Sequence, residues 1–149
     1  MQTTDEEEKR YAQLQLIALD FAREGNSAEL QKMISYGMSP NLCTNKDDTL
    51  LMLATYNDNF ETSQMLINEG ADLNRVNQRR QTPLEGVCFK GKINIVKLLV
   101  ESGAEISSNS IIYASMFGHK EIVKYLKENT KSNEKHKIIG IDVETFAKI

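Results

Sequence analysis

Tryptophan is absent from the 149-residue chain, and proline and cysteine occur twice each. Two cysteines, Cys43 and Cys88, cannot brace a chain of this size as a disulfide framework. They form neither a CxxC pair nor a Cys/His metal pattern. A surplus of positive charge is also missing: 18 Lys and Arg against 21 Asp and Glu leave a net charge of −3, which is no footprint for nucleic acid. Long apolar runs are lacking too. The longest uncharged stretches, Met33 to Asn45 and Ile106 to His119, are broken by Ser and Asn. Both fall short of the roughly 20 apolar residues that a membrane-spanning helix needs. The acidic opening, MQTTDEEEKRYAQLQLIALD, resembles neither a secretory signal nor a transit peptide. A reducing cytoplasm is the expected location.

What is present suits a folded domain. Hydrophobic residues make up 40% and charged residues 26%, an ordinary balance for a soluble globular protein. The length allows one compact domain or one short repeat array. Repeats decide between them. Gly37, Gly70 and Gly103 are spaced by 33 residues, twice over, inside ISYGMSPN, INEGADLN and VESGAEIS. The same shift aligns Thr49-Leu50-Leu51 with Thr82-Pro83-Leu84, Ala54 with Val87, and Met65-Leu66 with Leu98-Leu99. A register held over so many positions marks a repeat protein.

Each unit reads as two short helices. Thr82 followed by Pro83 predicts a helix start, where the hydroxyl caps free N–H groups and proline's missing donor costs nothing. Leu84 and Val87 give that helix an inward stripe. Gly91 allows a tight turn into a second helix, Ile93 to Ser102, whose Ile95, Val96, Leu98 and Leu99 face mostly inward. Gly103 closes it in the left-handed conformation. A polar stretch such as Asn77 to Gln81 predicts an extended finger between units.

TPLEGVCFKGKINIVKLLVESGAEI resembles an ankyrin repeat, and GADLN at 70–74 and GHKEIVKYL at 118–126 are further signatures of that family. The resemblance covers roughly residues 18–129. It implies an all-α solenoid of four units near 5–43, 44–76, 77–108 and 109–129, forming one repeat domain over 1–129. Asp58 stands at the turn glycine of the second unit, a place Asp tolerates. Glu85 and Met52 replace the histidine the family carries after its TPL motif, which puts the family's structural hydrogen bond there in question.

The ends depart from the middle, as terminal repeats do. Leu16 occupies the first unit's cap position and cannot cap, so the helix is expected to run back to Thr4, with Thr4 and Glu7 as a capping box. Gly91 and Gly118 are 27 residues apart, six short of the period. Two full fingers are therefore expected near 43–48 and 76–81, with a truncated connection at 104–109 and Asn109 as the cap that follows. Residues 130–149 read as a polar linker from Thr130 to Lys137 and a tail, IIGIDVETFAKI. That tail either folds back over the last repeat or hooks a partner, and folding back is favoured because exposed apolar patches are a liability in a soluble monomer.

Catalytic or metal chemistry has little to stand on. His119 and His136 lack Cys or carboxylate partners at ligand spacing. Cys88 falls on an inner helix as a small core residue, and Cys43 falls at a finger with nothing nearby to activate it. Asp5-Glu6-Glu7-Glu8 complements a helix N-terminus, and Lys120, Lys124 and Lys127 read as a solvated face. No catalytic residue and no resident cofactor is expected.

A binding surface is better supported. In ankyrin arrays the last residues of each inner helix point toward the concave groove; here these are Arg23-Glu24, Tyr56-Asn57, Phe89-Lys90 and Met116-Phe117. Tyr56, Phe89 and Phe117 would form an apolar strip, bordered by Lys90 and the finger residues Lys46, Asp48, Arg79 and Gln81, a pattern typical of binding hot spots. The alternative is that the rings pack against the fingers for stability alone. LLMLATYND, QTPLEGVCFKG and YASMFG also resemble small stand-alone bacterial ankyrin proteins. That resemblance implies a link to catalase and peroxide resistance, in some members through haem delivery. The expected function is therefore non-catalytic protein binding by a monomer, with a catalase or another haem protein as one candidate partner. The alternative is a haem or small-ligand carrier serving such an enzyme, with His119, Met116 and Tyr113 close in sequence but in no haem motif. A third reading, an effector acting on host proteins, finds no secretion signal.

Overall fold

A computed structural model of the protein describes residues 4–137. Among the described residues there are eight helices: α1 Asp5–Glu24, α2 Ser27–Ser35, α3 Leu50–Tyr56, α4 Phe60–Asn68, α5 Pro83–Lys90, α6 Ile93–Glu101, α7 Ser108–Met116 and α8 Lys120–Lys137. They pair in chain order as four helix-turn-helix units. The inner helices α1, α3, α5 and α7 stack on one another, and the outer helices α2, α4, α6 and α8 form a second row. The core runs between the two rows. Leu50, Leu51 and Leu84 from the inner helices meet Leu66, Ile95, Leu99, Ile122 and Leu126 from the outer ones, all fully buried. Each such side chain contributes about 1.5–3 kcal/mol of burial.

One chemical device starts every inner helix. Thr4, Thr49, Thr82 and Ser107 stand at the caps, and each hydroxyl oxygen accepts the N–H three residues on, at 3.1–3.2 Å. Thr4 does cap α1, so the first unit's inner helix is extended. The family's missing histidine is replaced chemically. Glu85, only 4% exposed, accepts from the Thr82 N–H at 2.9 Å and from the Ser107 hydroxyl at 3.2 Å. Its carboxylate thus joins the caps of units three and four.

The turns inside the units carry a second device. Asn59 donates from Nδ2 to the carbonyls of Ala22 and Arg23 at 3.0 and 2.8 Å, lying over Gly25 of the preceding unit. His119 lies over Gly91 in the same way, with Nε2 3.2 Å from the Phe89 carbonyl, to which it donates. A side chain at either glycine would collide with the ring or amide above it. Asp58 occupies this turn in the second unit with φ 61°, as its sequence position predicts. Lys92, at the position that Asn59 and His119 hold in their units, reaches the Asp58 carboxylate at 3.7 Å.

The fingers form where expected. Thr44 N–H donates to Asp48 and Asn77 N–H to Gln81, at 2.9 and 3.1 Å. Gln78 ties the second finger to the first through its own N–H to the Lys46 carbonyl and its Nε2 to the Asn45 carbonyl. Two expectations are corrected. The cap of α7 is Ser107, not Asn109, because α7 begins two residues earlier than the glycine spacing suggests. Gly103 to Ser107 spans four positions, where Gly37 to Thr49 and Gly70 to Thr82 each span twelve. The connection is therefore shorter than expected and α7 correspondingly longer. At the other end, residues 130–137 continue α8 instead of forming a linker. Lys120 to Lys137 holds no Gly or Pro to stop a helix. The tail from Ile138 onward lies outside the described residues.

Candidate functional site

The inner helices and the fingers share one face. Its site residues come from the ends of α3, α5 and α7, because each helix stops at a left-handed residue and leaves its last two side chains beside the next unit. By register, Tyr56, Phe89 and Met116 hold one column, and Asn57, Lys90 and Phe117 hold the next. In the third and fourth units the second column covers the first column of the unit before it. Lys90 Nζ lies 4.5 Å from the centre of the Tyr56 ring. Phe117 packs edge-on against Phe89, with ring centres 4.4 Å apart and planes at 64°. Such contacts contribute about 0.5–1.5 kcal/mol beyond burial.

Packing does not hide this aromatic pair. Phe89 is 37% exposed and Phe117 49% exposed, and Met116, on the last inner helix among the described residues, is 70% exposed. Asn57 turns its amide back to the Leu53 carbonyl at 2.7 Å and serves the helix end.

The finger residues divide by role. Arg79 pairs with Asp48 at 3.2 Å, and Asn77 Nδ2 donates to the same Asp48 oxygen at 2.7 Å. Asn77 Oδ1 accepts from the N–H groups of Arg79 and Gln81, fixing the second finger. The sequence reading took Asn77 only as the start of the finger; its burial and its bond to Asp48 depend on the neighbouring finger, which no local pattern announces. Lys46 stays exposed at the first finger.

A cavity of about 200 Å³ opens between the fingers and the inner helices. Leu53, Tyr56, Pro83 and Gly86 form much of its wall, with Asp48, Arg79 and Gln81 at the polar side. The sequence reading also missed Gly86. Every other described glycine has a positive φ, whereas Gly86 sits inside α5 without one. A Cβ there would meet only Tyr56, at an ordinary 3.6 Å. Glycine in a helix interior costs about 0.5–1 kcal/mol against alanine. Neither backbone conformation nor crowding requires it here.

The remaining candidates are structural. Cys88 is fully buried, and burial, with Glu85 adding to it, pushes its thiol up to about 12, far from a reactive thiolate. Cys43 is half-buried. Tyr113 packs against the core, Met116 faces out and His119 is held by the Phe89 carbonyl, so these three have different environments. Among the described residues no group of three or more His, Cys, Asp or Glu is placed to hold a metal ion, and no helix is long and apolar enough to cross a membrane.

Stacked helix pairs with an open inner face define a repeat solenoid. The profile for ankyrin repeats in three copies matches residues 18–110, and the chain belongs to the ankyrin repeat family. An ankyrin repeat protein of Pseudomonas aeruginosa is 44% identical over 46 residues, covering 31% of this chain and 27% of that protein. The ankyrin repeat protein YahD of Escherichia coli K12 is 22% identical over 118 residues, covering 75% of this chain and 59% of its own length. The chain thus spans less than two thirds of either relative's length. Among solved structures, the ankyrin repeat domain of human ASB11 superimposes with a TM-score of 0.68 at 27% identity, over 75% of this chain and 53% of that one. Proteins of this family generally act as interaction modules for other proteins and not as enzymes.

Proposed function

We propose that the chain is a non-catalytic adaptor that binds a protein partner through the face shared by its inner helices and fingers. The observation that carries this is the Phe89–Phe117 pair, stacked together yet open to solvent. A soluble protein that needed these rings for stability alone would bury them, whereas partly exposed aromatics beside charged groups are typical binding anchors. Tyr56 and Met116 extend the apolar surface, with Lys90, Arg79 and Lys46 supplying positive charge beside it. Asp48, Gln81 and Asn57 hold that edge in shape. The protein acts as a monomer in the cytoplasm.

The resemblance to small catalase-associated bacterial proteins makes a catalase or another haem protein one candidate partner, in oxidative-stress defence. Haem carriage is the rival reading. The cavity beside Tyr56, about 200 Å³, is below the ~300–1,000 Å³ of ordinary small-molecule sites, which supports a protein partner on that face; the more open cleft of about 480 Å³ beside His119 is the place left for haem. Capture from source-cell lysate tests the adaptor reading. Wild type should retain a protein that Phe89→Ala/Phe117→Ala, with helicity intact, does not. Equal retention by both would move the site elsewhere, and a new Soret band on adding haem to wild type would favour carriage.

A further inference from the structure

Gly86 is the unexplained residue of the binding face. The position four residues past the cap is Leu53 in α3 and Ile111 in α7, both half-buried apolar side chains. In α5 the same place holds a glycine that weakens its helix, answers no backbone demand and faces the cavity beside Tyr56. A side chain there would occupy space that the protein leaves open.

The charge at the mouth says what kind of guest fits. Arg79 lines the cavity and Lys90 lies over its Tyr56 wall. Asp48 is the one acidic side chain in the wall, and Arg79 and Asn77 already bind it. No described acidic side chain pairs with Lys90. On a chain of net charge −3, this mouth is locally positive. The volume matches one large side chain.

We infer that the Gly86 cavity receives a single apolar side chain, leucine- or phenylalanine-sized, from an extended partner segment that carries a carboxylate next to it. The apolar group fills the space over Gly86 against Leu53, Pro83 and Tyr56. The carboxylate meets Lys90 and the exposed side of Arg79. This rests on the proposal that this face binds protein, and it names the chemistry the partner must offer.

Selection of random displayed peptides on the wild-type protein tests it. The enriched sequences should carry Leu or Phe beside Asp or Glu. An enriched peptide, labelled and titrated, should bind Gly86→Leu at least about tenfold more weakly. Lys90→Glu, an exposed change that spares the core, should turn the preference from acidic to basic neighbours. Enrichment of basic or uncharged sequences, no enrichment on wild type, or equal binding by a folded Gly86→Leu would overturn the inference. Each of those results would leave lysate capture through Phe89 and Phe117 standing, so the two proposals fail separately.

Discussion

Single positions here carry conflicts between stability and binding. Replacing Gly86 by alanine should raise unfolding stability by about 0.5–1 kcal/mol, read as a higher urea midpoint at unchanged slope. A lower midpoint would mean that the space beside Tyr56 does not accept a methyl group. Cys88 makes a prediction in pH. Its thiol, ordinarily near 9.0, is pushed up to about 12 by burial and by Glu85. The unfolded chain therefore loses that proton first, and stability falls as pH rises from about 9 toward 12. Tyr125, raised by burial and by Glu101, acts in the same direction. Cys88→Ala should flatten the alkaline fall without abolishing it, measured as denaturation midpoints across that range; an unchanged slope would contradict the burial. Much at this scale was legible. Thr82 and Asp58 sit in local patterns whose geometry backbone chemistry dictates; Glu85 read only as a lost histidine, because its bond to Ser107 crosses to another unit. Gly86 was visible as a glycine with no turn around it, but its meaning depended on a neighbour 30 residues away in sequence, Tyr56.

At the scale of elements, the third and fourth units are joined at both ends of their inner helices. Glu85 links two caps, so Glu85→Ala should cost about 1–3 kcal/mol, because it leaves the half-buried Thr82 N–H without its acceptor. At the turns, Gly91→Ala combines a left-handed backbone with a collision against His119. It should destabilise by more than about 1 kcal/mol. The Gly91→Ala/His119→Ala double variant should lose less than the sum of the two single changes, and strict additivity in that cycle would contradict the stacking described. Helix pairs and fingers followed from the 33-residue register. The start of α7 did not, because the spacing of Gly91 and Gly118 fixes only the sum of a shortened connection and a lengthened helix. The extension of α8 was hidden for a related reason: Lys, Glu and Asn suit a solvated helix as well as a linker. Pairing of Phe117 with Phe89, and of Lys90 with Tyr56, depends on the offset between stacked units, which composition does not encode.

The whole molecule is a one-dimensional stack whose repeated contacts supply stability and whose exposed inner face is free to specialise. Family membership determines the first of these and leaves the second to the groove residues. The most direct measurement is the affinity of the retained partner for three proteins: wild type, Phe89→Ala/Phe117→Ala, and Phe60→Ala. Phe60 is an exposed aromatic of the outer row, on α4. The paired variant should bind at least about thirtyfold more weakly, a loss of ~2 kcal/mol, with Phe60→Ala equal to wild type. Undiminished binding by the paired variant, or a comparable loss at Phe60, would place the interaction on another face.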